Sequence, residues 1–249
     1  MAVSDKAVAV IPARLESSRL PRKPLVDIQG QPMILHVVKR CLLAKSLDDV
    51  VVATDSEEIK NVVESQGVNV IMTSKDHETG TDRIAEAAVD IDAEIIVNVQ
   101  GDEALLNPNY LDQVVEVMKD NDDIDCSILV NPFKKQNSPS DIKVVLSQKN
   151  DVMYFSRADI PSDARVASPG MLKAYHIVPF RKRFLLEFAS LEKGPIERVE
   201  FIEFMRILEN GYKIRAVHVE SDAVSVDTPE DLEFVRQKIV GDEFFGEYS

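Results

Sequence analysis

The sequence predicts an α/β protein with a nucleotide-binding three-layer fold, a mainly parallel sheet and a smaller flap-like subdomain. Three observations predict it. Short Val/Ile-rich runs alternate with segments of helical periodicity over the first 120 residues, which implies parallel strands joined by helical crossovers. The strand runs are almost continuously apolar, as in a sheet covered on both faces. Each run ends in polar residues on one predicted edge, where open α/β sheets bind ligands.

Residues 6–12, KAVAVIP, read as a buried first strand. A loop over 13–24 follows. Residues 31–46 place Ile34, Val37, Val38, Cys41 and Leu42 at helical spacing. A second strand is predicted over 48–55. The helix over 56–67 has Ser56 as N-cap, an acidic first turn and Gly67 as its stop. A strand over 68–74, a helix over 80–91, a strand over 93–103 and a helix over 107–121 complete the alternation.

The second half reads less regularly. Residues 125–133, 141–157 and 171–188 carry strand-like pieces, the middle one a hairpin turning at Lys149-Asn150. Residues 196–211 predict one amphipathic helix, 212–227 strand material, and 228–240 a last helix with Thr228 as N-cap and Pro229 at its first position. The tail over 241–249 is expected to be frayed or a partner contact. The whole chain is expected to form one domain, with the later segments, 125–215, an insertion or flap on one continuous fold.

Bulk properties narrow the function. The chain of 249 residues carries a net charge of −14, which argues against nucleic acid and anionic membranes as partners. No apolar run reaches membrane-spanning length. The N-terminus lacks the basic segment and cleavage site of a signal peptide and reads as strand. Cys41 and Cys126 have no metal or redox spacing and read as buried thiols. A cytoplasmic location is the expectation.

Against that acidic background, residues 11–25, IPARLESSRLPRKPL, concentrate Arg14, Arg19, Arg22 and Lys23 among three prolines. No Walker or dinucleotide glycine pattern is present, and no glycine occurs before Gly30. Arg14, Arg19 and Lys23 on a stiff loop after a strand can hold a triphosphate by charge-assisted bonds; a solvated basic turn is the competing reading. Asp102 and Asp227 end strands at the same edge, where two carboxylates suit a magnesium ion touching phosphate. Asp227 also fits a plain helix start. Thr73 and Ser74 end the third strand, and Gly80, Thr81 and Arg83 follow, in a polar loop able to read a base edge. Gln100 can bond a ribose or base. His77 in that loop reads as an incidental surface residue.

In order and spacing, VIPARLESSRLPRKPLVDIQGQPMILHV, VVATDSEEI, MTSKDHETGTDRI, VNVQGDE, IKVVL, YFSRADIP and VDTPEDL resemble the 3-deoxy-manno-octulosonate cytidylyltransferases, or CMP-Kdo synthetases, from about residue 6 to 238. The resemblance implies CTP as donor and attack by the anomeric hydroxyl of a sugar acid on the α-phosphorus. It implies that Arg14, Arg19 and Lys23 hold phosphates, with Arg19, Lys23 and Asp102 catalytic. It implies that Asp102 and Asp227 carry Mg2+, and that Thr73, Ser74, Gly80, Thr81, Arg83 and Gln100 hold the nucleotide. Arg157, Glu197 and Glu200 would face the sugar acid, Arg157 pairing with its carboxylate. The resemblance adds acceptor binding and dimerisation to the flap over 125–215, so a homodimer formed through it is implied too.

The departures all fall near the acceptor. Ala104 stands where the family has proline in G-D-E-P. Ala174, Val178 and Phe204 stand where it has His, Tyr and Gln. Replacing hydrogen-bonding groups by apolar ones shifts specificity strongly. Tyr175 and His176 could supply substitute polar contacts. The open alternatives are activation of 8-amino-Kdo or a nonulosonate, and a CTP-binding sensor without transferase activity.

Overall fold

The computed structural model describes residues 6–17, 19–166, 170–221 and 224–249. Residues 1–5, read with the first strand, and 222–223, read within the late strand material, lie outside the described residues.

The first half alternates as the periodicity dictates. β1 (Ala7–Ala13) leads through a basic loop to the two-residue strands β2 (Asp27–Ile28) and β3 (Gln31–Pro32), then α1 (Met33–Leu42). β4 (Asp49–Thr54), α2 (Glu57–Glu64), β5 (Asn69–Met72), α3 (Gly80–Ala88), β6 (Ile95–Val99) and α4 (Pro108–Lys119) follow. The remaining elements are β7 (Ser127–Phe133), β8 (Lys143–Leu146), β9 (Val152–Ser156), β10 (Met171–Tyr175), β11 (Ile177–Arg181), α5 (Lys182–Ser190), α6 (Pro195–Glu200), α7 (Met205–Glu209), β12 (Arg215–His218), α8 (Pro229–Lys238) and α9 (Phe245–Tyr248).

The first sheet has the order β11-β6-β1-β4-β5. Its strands run parallel except β11, which is antiparallel to β6. Alternate side chains of β1 enter two cores. Ala7, Ala9 and Ile11 pack with α1, α2 and α4, while Val8 and Val10 pack on the other face with α3 and α5. The chain leaves β1 toward β4 on one side and returns to β6 on the other. The switch in strand order therefore lies between β1 and β6, and their carboxyl ends open the crevice where such folds bind ligands.

A second sheet, β12-β7-β10-β8-β9, stands beside that crevice. It is antiparallel apart from the parallel pair β12 and β7. His176 alone separates β10 in the second sheet from β11 in the first, so one residue carries the chain between them.

Several sequence expectations change. The helix expected from residue 31 starts at Met33, because residues 27–32 close a tight hairpin with Gln29 and Gly30 at positive φ. Residues 182–188 are helical: Phe184, Leu185 and Phe188 fall on one buried helical face. The single helix expected over 196–211 is two, broken where Phe201 takes a left-handed conformation, φ 53°. The tail is docked on its own chain. The Tyr248 hydroxyl accepts from Arg40 Nε at 3.1 Å, and Asp242 pairs with the same buried guanidinium. The hairpin at Asn150 and the capped last helix form as expected.

Candidate active site

The basic loop leaves β1 and closes in a short 3-10 turn at Lys23–Leu25 that buries Pro24. Its cations meet both predicted aspartates. Lys23 Nζ donates to Asp102 Oδ2 at 2.6 Å and to Asp227 Oδ1 at 2.9 Å. Arg19 donates to the same Asp227 oxygen at 2.9 Å. Burial disfavours the charge on Lys23, but Asp102 and Asp227 outweigh it and hold its pKa above the ordinary lysine value.

Apolar packing explains why segments so distant in sequence share this rim. A separate cluster joins Leu20 of the loop, Ala104 and Leu105 after Asp102, Val226 before Asp227, and Leu232 and Val235 of α8. The Val226 amide also donates to the Asp102 carbonyl at 3.1 Å. Asp227 precedes Thr228, whose hydroxyl accepts from the Asp231 amide while Asp231 caps back, a reciprocal pair that fixes the start of α8.

Two cavities meet at this rim. The smaller, about 260 Å³, is walled by Arg14, Arg19, Lys23, His77, Arg83 and Gln100, among others. The larger, about 1200 Å³, lies toward the second sheet and is lined by Lys173, His176, Glu197, Glu203 and Phe204, among others. Arg19, Gly80, Gln100, Asp102 and Asp227 border both. Gly80 and Gly101 let the segments crowd together. A Cβ on Gly101 would lie 3.0 Å from the Pro12 carbonyl oxygen, and one on Gly80 would lie 3.2 Å from Pro12 Cγ.

Of the residues expected to hold the nucleotide, Arg14, Arg19, Lys23, Gly80, Arg83 and Gln100 border the smaller cavity. Thr73, Ser74 and Thr81 lie outside its lining. Thr73 Oγ1 accepts from Arg83 at 2.5 Å, and Arg83 pairs with Asp55 at 3.3 Å. The Ser74 amide donates to Glu86 at 3.0 Å. Thr81 is fully buried and donates to Glu203 Oε1 at 2.6 Å. Thr81 in turn accepts from Asn98, whose Oδ1 takes a bond from Gln100 at 2.7 Å. The chain Gln100–Asn98–Thr81–Glu203 thus links the shared rim to the larger cavity.

The acceptor side differs more from expectation. His176 and Glu197 line the larger cavity, but both Glu197 oxygens are taken by Arg206, at 2.8 and 2.6 Å. Arg157 donates to the carbonyls of Glu200 (2.8 Å), Pro139 (2.8 Å) and Phe201 (3.0 Å) and reaches neither cavity. The guanidinium expected to pair with an acceptor carboxylate here binds its own chain. Glu200 accepts from Ser156 Oγ at 2.9 Å and the Arg157 amide at 3.0 Å, also outside both cavities. Tyr175 is buried against Glu103, and burial drives its hydroxyl pKa well up. Burial lowers the His176 pKa, keeping the ring neutral.

Three polar residues escaped the sequence reading. Asn98, in the middle of an apolar strand, was the one visible signal. Glu203 is buried, with its pKa raised by burial and with Oε2 lacking a hydrogen-bond partner. Glu103 is raised to about 7, by burial first and by Asp102 second. Among the departures from the family pattern, Phe204 lines the larger cavity with its ring 6.4 Å from His176. Ala174 and Val178 are buried in the main core, and Ala104 in the small cluster.

Among the described residues no group of three or more His, Cys, Asp and Glu is arranged to hold a metal. Asp102 and Asp227, drawn together on one ammonium, would offer two hard oxygen donors of the kind Mg2+ takes beside substrate phosphates. The residues fit that ion.

The crevice at the strand switch, the basic loop and the facing carboxylates define a nucleotide-using transferase of the α/β class. The comparisons refine this. The family model for cytidylyltransferases matches residues 8–214. A 3-deoxy-manno-octulosonate cytidylyltransferase of Chlorobium limicola is 41% identical over 239 residues, covering 94% of this chain and 97% of its own. One from Syntrophotalea carbinolica is 43% identical over 245 residues, covering 94% and 98%. A solved CMP:2-keto-3-deoxy-manno-octonic acid synthetase complexed with CTP matches with a TM-score of 0.92 and 38% identity, covering 94% of this chain and 98% of that one. This chain belongs to the cytidylyltransferase family and, within it, to the 3-deoxy-manno-octulosonate cytidylyltransferases. It is an enzyme of the nucleotidyltransferase type.

Proposed function

We propose that this enzyme transfers CMP from CTP to the anomeric hydroxyl of 3-deoxy-manno-octulosonate (Kdo) or a close relative, releasing pyrophosphate for surface-glycan synthesis. The carrying observation is the shared rim, where Lys23 bridges Asp102 and Asp227 between the two cavities. The triphosphate occupies the smaller cavity and the sugar acid the larger. The acceptor oxygen forms a bond to the α-phosphorus while the bond from that phosphorus to the bridging oxygen breaks. The electron pair stays on the departing pyrophosphate, and the hydroxyl proton leaves to solvent. Arg19 and Lys23 donate to the oxygens that gain charge. Asp102 and Asp227 would hold Mg2+, which when bound neutralises phosphate charge. Gln100, oriented by Asn98, and the loop at Gly80 face the nucleoside.

Phe204 in the cavity wall favours a second reading of the acceptor. A modified octulosonate such as 8-amino-Kdo, or a nonulosonate, would be preferred over Kdo. The second sheet is the flap, 125–215 the acceptor and dimer region, and the enzyme works as a cytoplasmic homodimer. No described helix is long and apolar enough to cross a membrane. Val199 and Phe201, 77% and 79% exposed at the break between α6 and α7, offer an apolar face for the second copy.

The test is pyrophosphate release from CTP and Mg2+ with Kdo, 8-amino-Kdo and a nonulosonate. Release with one of them establishes the transfer and names the acceptor. CTP binding with release from none would favour the sensor.

A further inference from the structure

The geometry points to His77 as a further phosphate-contacting residue of the smaller cavity, oriented by Glu86; this rests on the proposed placement of the CTP phosphates there. Sequence alone gives no reason to separate this histidine from an ordinary surface residue. The structure puts His77 in the lining of the cavity that Arg14, Arg19 and Lys23 also line. The ring is four-fifths shielded from solvent. Its Nε2 is bound by Glu86 Oε2, and that same oxygen accepts from the Ser74 amide at 3.0 Å. Glu86 stands on α3, so a helix rather than a free loop sets the direction of the imidazole. The carboxylate is itself held below its usual pKa, first by the bond to His77 and next by the Ser74 amide.

With Nε2 committed to Glu86, Nδ1 is the ring nitrogen left for a ligand. In the neutral ring Nε2–H donates to Glu86, and Nδ1 presents a lone pair that repels a phosphate oxygen. In the protonated ring Nδ1–H donates, and Glu86 balances the charge. An arriving polyphosphate therefore draws a proton onto His77.

The basic loop contributes Arg14, Glu16, Arg19 and Lys23 to the cavity. From α3, Arg83 faces it but is paired with Asp55. Asp102 and Asp227 also line the cavity and are bonded to Lys23. In the ring's own loop, the Asp76 carboxylate accepts from the Ser74 hydroxyl at 3.4 Å and Glu78 pairs with Lys193. Glu86 alone among these acids bonds the imidazole.

Isothermal titration of the full chain with CTP, at pH 7.5 in two buffers of different ionisation heat, counts protons taken up on binding. The wild type should take up a fraction of a proton more than His77→Gln, which should bind CTP ~10-fold more weakly, the loss of one charge-assisted bond. Glu86→Gln, which keeps a hydrogen bond but no charge, should fall between them. Pyrophosphate alone should show the same dependence on His77, and CMP none. His77→Gln with wild-type affinity and proton count, or a dependence seen with CMP and not pyrophosphate, overturns the inference. A wild type that binds CTP tightly while His77→Gln is indistinguishable from it leaves the nucleotide assignment standing and removes only His77. Absence of CTP binding by the wild type removes both.

Discussion

The two cavities that share a rim are built in opposite ways. Around the smaller one, cations and carboxylates turn toward the open space and toward each other: Lys23 on Asp102 and Asp227, His77 on Glu86. Around the larger one, the charged residues that a motif reading would assign to substrate are bonded to their own chain. Arg157 binds three carbonyls and Arg206 takes both oxygens of Glu197. The same residue types thus border open space on one side and tie the chain together on the other. What separates them is the partner: side-chain carboxylates at the open rim for Lys23 and Arg19, backbone carbonyls and a buried carboxylate for Arg157 and Arg206.

Substitutions sharpen this contrast, and the largest effect falls at the rim. Lys23→Ala should lower kcat/KM for CTP by roughly 100-fold or more, as loss of a preorganised donor does, with a far smaller change in melting temperature. Melting that collapses while CTP use survives would make the loop structural instead. On the acceptor side the order reverses. Arg206→Ala strands the buried Glu197 carboxylate and should cost about 3–5 kcal/mol of stability, read by denaturant unfolding. Arg157→Ala should also lower stability, by losing its three carbonyl bonds, with no separate rise in acceptor KM once folded. A selective KM effect would return Arg157 to the substrate.

Phe204→Gln should leave the KM for CTP unchanged and shift the ratio of kcat/KM between Kdo and its modified relatives by about 10-fold or more. An unchanged ratio would show that the wall residue does not read the acceptor.

The smallest effect lies behind the rim, at the docked tail. His36 is buried, with its ring bonded to the Ile28 carbonyl at 2.8 Å and the Tyr248 hydroxyl at 3.1 Å. Burial first, then Arg40 and Lys39, lower its pKa. A lowered folded value means the unfolded chain binds more protons below about pH 6.5. This part of the stability is present above that pH and lost as pH falls through the folded value. His36→Gln should flatten that slope in unfolding midpoints measured from pH 7.5 to 5; an unchanged slope would assign it elsewhere.

How much was legible follows from the same contrast. The alternation of strand and helix, the basic loop and the two aspartates are local patterns, and each survives into the structure. The capping box at Thr228 and Asp231 marked the start of α8 correctly because its partners lie three residues apart. The break at Phe201 was hidden because its cause is tertiary: Arg157, 44 residues away, binds the Phe201 carbonyl at the turn. The tail was misread for a similar reason, since Arg40 and His36 hold Tyr248 across more than 200 residues. Glu203 was invisible because its partners, Thr81 and the cavity, belong to the other lobe.

The most direct measurement is pyrophosphate release by wild type and Lys23→Ala, with CTP, Mg2+ and the best acid of the panel. The account predicts release that requires both CTP and the acid, and that falls at least ~100-fold in the variant while its melting stays close to wild type. Undiminished release by a folded Lys23→Ala would contradict it.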